Sequence, residues 1–162
     1  MELSPIAKKA INLICIKAET EYSNGNKDNW TKLKDDGKKL LQSNGYKPFE
    51  HGDYRFVYNI PNQNAVLKIA KSNLGKKENK SEVENYYNAP DNVKKHLADI
   101  INDDFDGKWV IQKYIPNDCT PSEAKTLSNK FKNNNYYIAE IDSYNVGKTN
   151  DGKLVAFDYA GN

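Results

Sequence analysis

The sequence predicts an α+β fold: a small antiparallel sheet with one acidic helix, a reduced C-terminal part and an N-terminal helical hairpin. Three observations support this prediction. Apolar residues recur at helical spacing over residues 1–44, apolar and polar residues alternate as in a strand beyond Tyr46, and a hairpin pattern with a Gly turn lies near residue 150. The 162 residues, 38% of them hydrophobic, suffice for one compact domain with a small helical extension.

Two helices are predicted within residues 1–44, which we treat as an N-terminal extension. Ser4 is a suitable N-cap and Pro5 suits the first helical position, and the apolar residues that follow keep helical spacing. An Asn-Gly-Asn sequence ends this helix, and the second runs from about Asp28 to the next Asn-Gly pair. Gly37 weakens the second helix by about 1 kcal/mol relative to Ala. We therefore predict that the extension is a helical hairpin whose two helices pack through apolar residues.

Residues 45–116 contain the predicted sheet. Alternating aromatic and polar residues indicate a strand over residues 54–60, which a Pro-Asn turn connects to a short apolar strand over 65–70. An earlier strand is expected within 46–50, and the clearest strand of the chain spans 108–115. A short turn joins the strands over 54–60 and 65–70, which favours antiparallel pairing.

Helices are expected between and after these strands. A polar helical pattern spans residues 78–88, and a shorter helix spans about 91–98. In the last part of the chain, 117–162, Thr-Pro-Ser-Glu opens a helix over about 120–131. A hairpin with an Asn-Asp-Gly turn then leads into Asp158.

Composition excludes several classes of function. The net charge is only +2 and Arg55 is the one arginine among 24 basic side chains, so we expect neither a nucleic-acid nor a membrane partner. No apolar run approaches the roughly 18 residues of a membrane span, and the first residues lack a signal-peptide pattern. Two cysteines and two separated histidines do not suggest a metal site. We therefore expect a soluble, cytoplasmic protein.

Features that can carry chemistry follow one another in a fixed order: a turn with Gly52, a strand with Lys68, a helix with Glu82 and Glu84, and a hairpin bounded by Asn145 and Asp158. An ammonium in an apolar strand needs a carboxylate partner, since desolvating an unpaired charge is costly. A glutamate of the following helix is the natural partner. Mg²⁺ prefers oxygen ligands, so Asn145 and Asp158 form a chemically sensible pair.

In this order the features resemble the protein-kinase-like superfamily, in a very small form such as the kinase-like proteins of phages and other viruses. The resemblance covers about residues 45–162. It implies a sheet-containing lobe over 45–116 and a reduced C-terminal lobe over 117–162. It also implies that ATP and Mg²⁺ bind in a cleft between Lys68 and Asp158, and that the γ-phosphoryl group is transferred to an acceptor.

The resemblance assigns roles to individual residues. Lys68 holds the phosphates, and Glu82 fixes Lys68, with Glu84 as the alternative. Asn145 and Asp158 hold the metal.

The resemblance also assigns phosphate, adenine and acceptor contacts to residues in loops and at the end of one strand. Gly52 lets the backbone approach phosphate, and the backbone of Gln112, Lys113 and Tyr114 meets the adenine ring. Glu140 orients the acceptor, with Asp142 as the alternative carboxylate. Arg55 lies near enough to Gly52 to touch phosphate, but a solvated position is favoured for it.

Departures from the family pattern support a second hypothesis. Only Gly52 matches the family's three loop glycines, and Glu140 stands where the family has its catalytic Asp. We also expect no large substrate-binding lobe, because the sequence ends four residues after Asp158. The alternative is a pseudokinase-like module that binds a partner protein through residues 1–44. An accidental resemblance, in a plain α+β interaction protein, is a third possibility, and the acceptor stays open between a protein hydroxyl, a small molecule and the protein itself.

Overall fold

The computed structural model describes residues 1–49, 53–138 and 141–161 and has an α+β architecture with a small antiparallel sheet, as the sequence predicts. The helical elements are α1 (Pro5–Ile11), a π-helical segment (Asn12–Lys17), α2 (Ala18–Ser23), α3 (Lys27–Ser43), α4 (Asn73–Asn88), α5 (Asp91–Lys94) and α6 (Pro121–Asn133). The strands are β1 (Lys47–Pro48), β2 (Arg55–Asn59), β3 (Ala65–Ala70), β4 (Ile100–Asp103), β5 (Trp109–Lys113), β6 (Asn117–Asp118), β7 (Val146–Lys148) and β8 (Leu154–Ala156).

The predicted N-terminal hairpin is confirmed, with one local difference. The Ser4 hydroxyl accepts a hydrogen bond from the Ala7 N–H at 3.0 Å, and Pro5 begins α1. The sequence predicts one regular helix, whereas the structure has a π-helical segment between α1 and α2. A π-turn holds one residue more than an α-turn, and the consecutive residues Ile14 and Cys15 are both buried there.

Gly37 lies where α3 crosses this π-helical segment. A Cβ atom at Gly37 would be 2.6 Å from Ile14 Cγ1 and 3.0 Å from the Ala10 carbonyl oxygen. The residue that weakens α3 on propensity grounds is therefore the one that lets the two arms of the hairpin approach closely.

The main sheet has the strand order β1-β2-β3-β5-β4, with antiparallel pairing throughout. Strand β3 is central, and all of its residues are buried. Because side chains alternate along a strand, Leu67 and Ile69 face the N-terminal hairpin, where they join its apolar cluster, while Lys68 faces the other side.

Two apolar clusters lie on opposite faces of the main sheet. The first joins α1, the π-helical segment and α3 to the sheet and includes Ile111. The second joins α5, α6 and the hairpin β7–β8 to the sheet and includes Val110. Neighbouring residues of β5 thus belong to different clusters, and the face that carries Lys68 is the one covered by α4 and the C-terminal segments.

The hairpin β7–β8 belongs to a second antiparallel sheet with the order β6-β7-β8. It is joined to the rest of the chain through Ala156, whose N–H donates to the His96 carbonyl and whose carbonyl accepts from the Ala98 N–H, both at 2.8 Å. Helix α5 ends at Lys94, before the predicted end at residue 98, because the chain turns at Lys95 and His96 and then pairs with β8 at Leu97.

Helix α4 begins five residues before its predicted start at residue 78. Its first turns contain Gly75, where a Cβ atom would be 2.2 Å from the Tyr54 carbonyl oxygen and 3.0 Å from Ala70 Cα. The glycine is needed for this close approach to the sheet, and its low helix propensity hides the helix start in the sequence. Among the described residues, no helix has the length and apolar character needed to cross a bilayer.

Candidate functional site

Lys68 lies at the centre of a cluster of charged side chains between the main sheet and the C-terminal segment. Its side chain is only 5% exposed. The Lys68 ammonium donates to Glu82 Oε1 and to the Phe157 carbonyl, each at 2.5 Å. Burial lowers the pKa of Lys68, and the neighbouring Glu82 carboxylate opposes this shift.

The carboxylate partner of Lys68 is Glu82, as the sequence predicts. Glu82 lies on the inner face of α4 and is fully buried, whereas Glu84 on the same helix is exposed. Two residues along an α-helix point in nearly opposite directions, so only one of the two glutamates can reach the sheet.

Four donors surround the Glu82 carboxylate. Besides Lys68, they are Gln112 Nε2 and Arg55 Nη2, each at 3.1 Å, and the Tyr159 N–H at 3.3 Å. Donors from β2, β3, β5 and the C-terminal segment therefore converge on one side chain of α4. Glu82 joins the main sheet to the end of the chain.

Arg55 is the functional candidate that sequence reasoning placed wrongly. We expected it in a solvated position near Gly52, but its side chain is 5% exposed and belongs to the charge cluster. The register pairs Val57 with Lys68, so Arg55, two residues from Val57, lies on the Lys68 face of the sheet. The strand periodicity combined with this pairing was the signal that could have found it.

The Arg55 guanidinium makes four polar contacts, of which three are hydrogen bonds and one is an ion pair. Three of the four go to α4: Nη1 donates to Asn79 Oδ1, Nη2 donates to Glu82 Oε2, and Nε forms the ion pair with Glu78 Oε2, each at 3.1 Å. The fourth joins Nη2 to Asp158 Oδ1 at 2.9 Å. Burial alone would lower the pKa of Arg55, but the carboxylates of Glu82 and Asp158 outweigh it and raise the pKa.

Asp158 follows β8 at the rim of the cluster, with 42% of its side chain exposed. Partial burial would raise the pKa of this carboxyl group, but the positive charges of Lys68 and Arg55 lower it below its ordinary value. Asp158 and Lys68 are thus brought together, as the sequence predicts for the two walls of one site.

The groups on both walls of the expected crevice are bound to other groups of the protein. Lys68 donates to the Phe157 carbonyl, and Arg55 donates to Asp158. The physical reason is charge: an arginine, a lysine and three carboxylates that share a poorly solvated region gain most when they contact one another directly.

Asn145 lies beside the same segment. Its carbonyl accepts from the Phe157 N–H at 2.9 Å, one residue before Asp158, at the open end of the hairpin β7–β8. The two predicted metal ligands are therefore brought to neighbouring positions. Asp142 lies outside the cluster in an exposed turn, where its carboxylate accepts from the Tyr144 N–H at 2.9 Å.

The predicted adenine-binding strand end is engaged in the sheet. The Lys113 N–H donates to the Asp99 carbonyl at 2.9 Å, and the Tyr114 N–H donates to the Asn64 carbonyl at 3.1 Å. These two N–H groups are therefore not available to an adenine ring in this conformation. The Gln112 side chain points to Glu82, so it contributes to the charge cluster.

Two predicted site residues, Gly52 and Glu140, lie outside the described residues. Within the described part of the chain, no group of three or more His, Cys, Asp or Glu side chains is arranged to hold a metal ion. An Asn amide and an Asp carboxylate nevertheless fit Mg²⁺, which binds through few protein oxygens and keeps several waters.

Comparison with protein-family models gives no match, and comparison with curated proteins gives none either. The chemistry of the site is therefore argued from its geometry. Arg55 and Lys68 supply two positive charges, and Glu78, Glu82 and Asp158 supply three negative ones. Without Asp158 the charges of the remaining four groups would balance.

Proposed function

We propose that the chain is a small kinase-like protein that binds ATP with Mg²⁺ between β3 and the C-terminal hairpin and transfers the γ-phosphoryl group to an acceptor. One observation carries the proposal: Lys68 of β3, paired with Glu82 of the next helix, contacts the Phe157-Asp158 segment that ends the hairpin beginning at Asn145. The resemblance requires these groups to meet in this way, and they are far apart in the sequence.

The burial of this charge cluster supports a functional role. A buried ion pair contributes little net stability, and packed apolar side chains of similar volume often stabilise a fold as well or better. Lys68, Arg55 and Glu82 are all buried, in a chain whose other cations are mostly at the surface. Perturbed titratable groups gathered in this way are typical of sites that bind or react.

The residues present fit the two ligands of the proposal. Lys68 would hold phosphate oxygens while Glu82 keeps its side chain in position. Asn145 and Asp158 would hold Mg²⁺, which neutralises phosphate charge when bound. The partial exposure of the Asp158 side chain leaves room for an additional ligand on this carboxylate.

A second candidate, a pseudokinase-like binding module, is favoured by the contact between Arg55 and Asp158. This contact gives the carboxylate that would hold metal a positively charged partner within the protein. In that case the fold would act through contacts with a partner protein, with residues 1–44 as the surface.

Thermal shift and phosphotransfer measurements together test the proposal. We expect Mg²⁺ and ATP at millimolar concentration to raise the melting temperature of the wild type, since a ligand that binds only the folded state stabilises it. Asp158→Ala should lose this increase, and Glu84→Gln, which changes an exposed carboxylate on α4, should keep it.

Radiolabelled ATP then separates the two candidates. Transfer of label by the wild type but not by Asp158→Ala supports a phosphotransferase. Binding with equal, background-level label in both proteins favours the pseudokinase-like module. The absence of any shift in melting temperature would contradict nucleotide binding altogether.

A further inference from the structure

Arg55 connects two parts of the molecule that belong to different segments of the chain. Three of its contacts go to side chains of α4 and the fourth goes to Asp158, which lies 103 residues away in the sequence. The arginine side chain has five N–H donors in a rigid fork. Four partners are therefore held in a fixed relative arrangement, and no lysine can reproduce this arrangement.

The four contacts differ in how easily they can be broken. Asn79 and Glu82 are fully buried, and their helix packs on the sheet, so their contacts with Arg55 are part of the core. Asp158 is partly exposed and lies on a segment beyond the last strand, at the end of the described chain. If Asp158 is released, Arg55 keeps its three contacts with α4. If α4 moves away, Arg55 loses three contacts at once, so the contact with Asp158 is the easier one to break.

Release of Asp158 would also change the net charge of the cluster. With Asp158 in place, the two cations Arg55 and Lys68 contact three carboxylates, those of Glu78, Glu82 and Asp158, so the cluster carries a net charge of −1. With Asp158 released, the remaining four charges balance, and the excess of negative charge that would repel an incoming phosphate is removed. The released carboxylate is then available to a cation.

We propose that Arg55 is a latch: in the ligand-free protein it holds Asp158 against α4 and closes the site, and binding of a nucleotide with its metal ion requires Asp158 to leave it. This inference rests on the proposed function and adds a regulatory step to the same site. Arg55 is in this account a positioning residue, because it acts through Asp158. Metal and Arg55 compete for one carboxylate.

Two substitutions test the latch. Arg55→Lys keeps a positive charge near Glu82 but cannot fork to Asp158, and Arg55→Gln removes the charge. Lys32→Gln is the control, since it removes the cation of an exposed pair on α3, which joins Lys32 to Asp36 at 2.7 Å.

The first readout is hydrogen exchange in the ligand-free protein, which does not depend on nucleotide binding. We expect amides of residues 157–160 to exchange about tenfold faster in Arg55→Lys and Arg55→Gln, since a charge-assisted hydrogen bond of that strength is lost. Exchange in α6 serves as the internal reference and should not change. Unchanged exchange of residues 157–160 would contradict the latch.

The second readout is the Mg²⁺ concentration that gives half-maximal ATP binding, measured by calorimetry. Without the competing arginine, this concentration should fall about tenfold in Arg55→Lys and stay at the wild-type value in Lys32→Gln. A value unchanged or raised in Arg55→Lys would contradict the competition, because a merely structural role of Arg55 does not lower it.

The two readouts keep the two proposals apart. If wild type and variants all fail to bind ATP, the proposed function is contradicted, and the exchange rates alone then support or contradict the latch. If only Arg55→Lys binds ATP, the latch is supported in its strongest form, as a contact that locks the site.

Discussion

At the scale of single residues, Glu82 carries the largest share of the charge network. Its two oxygens accept hydrogen bonds from Lys68, Arg55, Gln112 and the Tyr159 backbone. Each of these donors would be left with one acceptor fewer if the carboxylate were changed. We therefore place the strongest stability prediction on this side chain.

Glu82→Gln should lower the free energy of unfolding by about 3–5 kcal/mol, because it leaves two buried cations without their shared anion. Glu84→Gln, two residues away on the exposed face of α4, should change it by no more than about 0.5 kcal/mol. Urea unfolding of both variants measures the difference. Equal effects of the two substitutions would show that the buried network contributes nothing to stability.

The Lys68–Glu82 pair could be predicted from the sequence, and the contact of Arg55 with Asp158 could not. A lysine inside an apolar strand must be paired, so its partner had to come from the next acidic element. Strand periodicity places Arg55 on the same face as Val57, but its burial also depends on the register with β3 and on contacts with α4 and Asp158, which are distant in sequence. Long-range contacts of this kind leave no local pattern.

His96 gives the protein a pH dependence in the mildly acidic range, below pH 6.5. Its Nδ1 lies 2.8 Å from the Leu154 carbonyl, and burial, with the charges of Lys130, Lys95 and Lys153, lowers the pKa of the imidazole below its usual 6.5. The folded state therefore prefers neutral His96. Its contribution to stability is present above pH 6.5 and is lost as the pH falls through the lowered pKa.

His96→Gln should consequently reduce the change of the free energy of unfolding with pH in this range. Chemical unfolding at a series of pH values between neutrality and mild acid should show the wild type losing more stability than the variant. A wild-type curve parallel to that of the variant across this range would contradict the assignment.

At the scale of elements, the predicted boundaries agree best with the structure where the local sequence pattern is strongest. Strand β3 has the predicted boundaries, because an apolar run of six residues lies between a Pro-Asn turn and a polar segment. The π-helical segment and the early start of α4 were missed. Both depend on close approaches, at Ile14 and Gly75, that only the packed structure reveals.

Gly37 gives a prediction for the helical hairpin. Gly37→Leu should destabilise the protein by about 1–3 kcal/mol despite better helix propensity, because the new side chain must displace Ile14 or separate the helices. Lys39→Leu, at an exposed position of the same helix, should change stability by about 0.5 kcal/mol or less. Thermal or urea unfolding compares the two. A stabilised Gly37→Leu protein would contradict the close helix crossing.

At the scale of the whole molecule, the main sheet separates a structural face from the face that carries the charge cluster. The N-terminal hairpin packs on the first face and shares its apolar cluster with Leu67 and Ile69. On the second face, α4 and the end of the chain meet at Lys68, Arg55 and Asp158. Residues distant in sequence are thereby gathered at one place, as a ligand site requires.

The composition and periodicity of the sequence could predict the α+β class and the antiparallel pairing, because both depend on local patterns and short turns. They could not predict the ion pair between Arg55 and Asp158. This pair depends on the packing of five charged side chains that come from distant parts of the sequence.

The most direct test of the account is a crystal structure of the protein with Mg²⁺ and a non-hydrolysable ATP analogue. We expect phosphate oxygens beside Lys68, the metal ion between Asn145 and Asp158, and Arg55 separated from Asp158 while it keeps its contacts with α4. A nucleotide bound on another surface, with the contact between Arg55 and Asp158 intact, would contradict it.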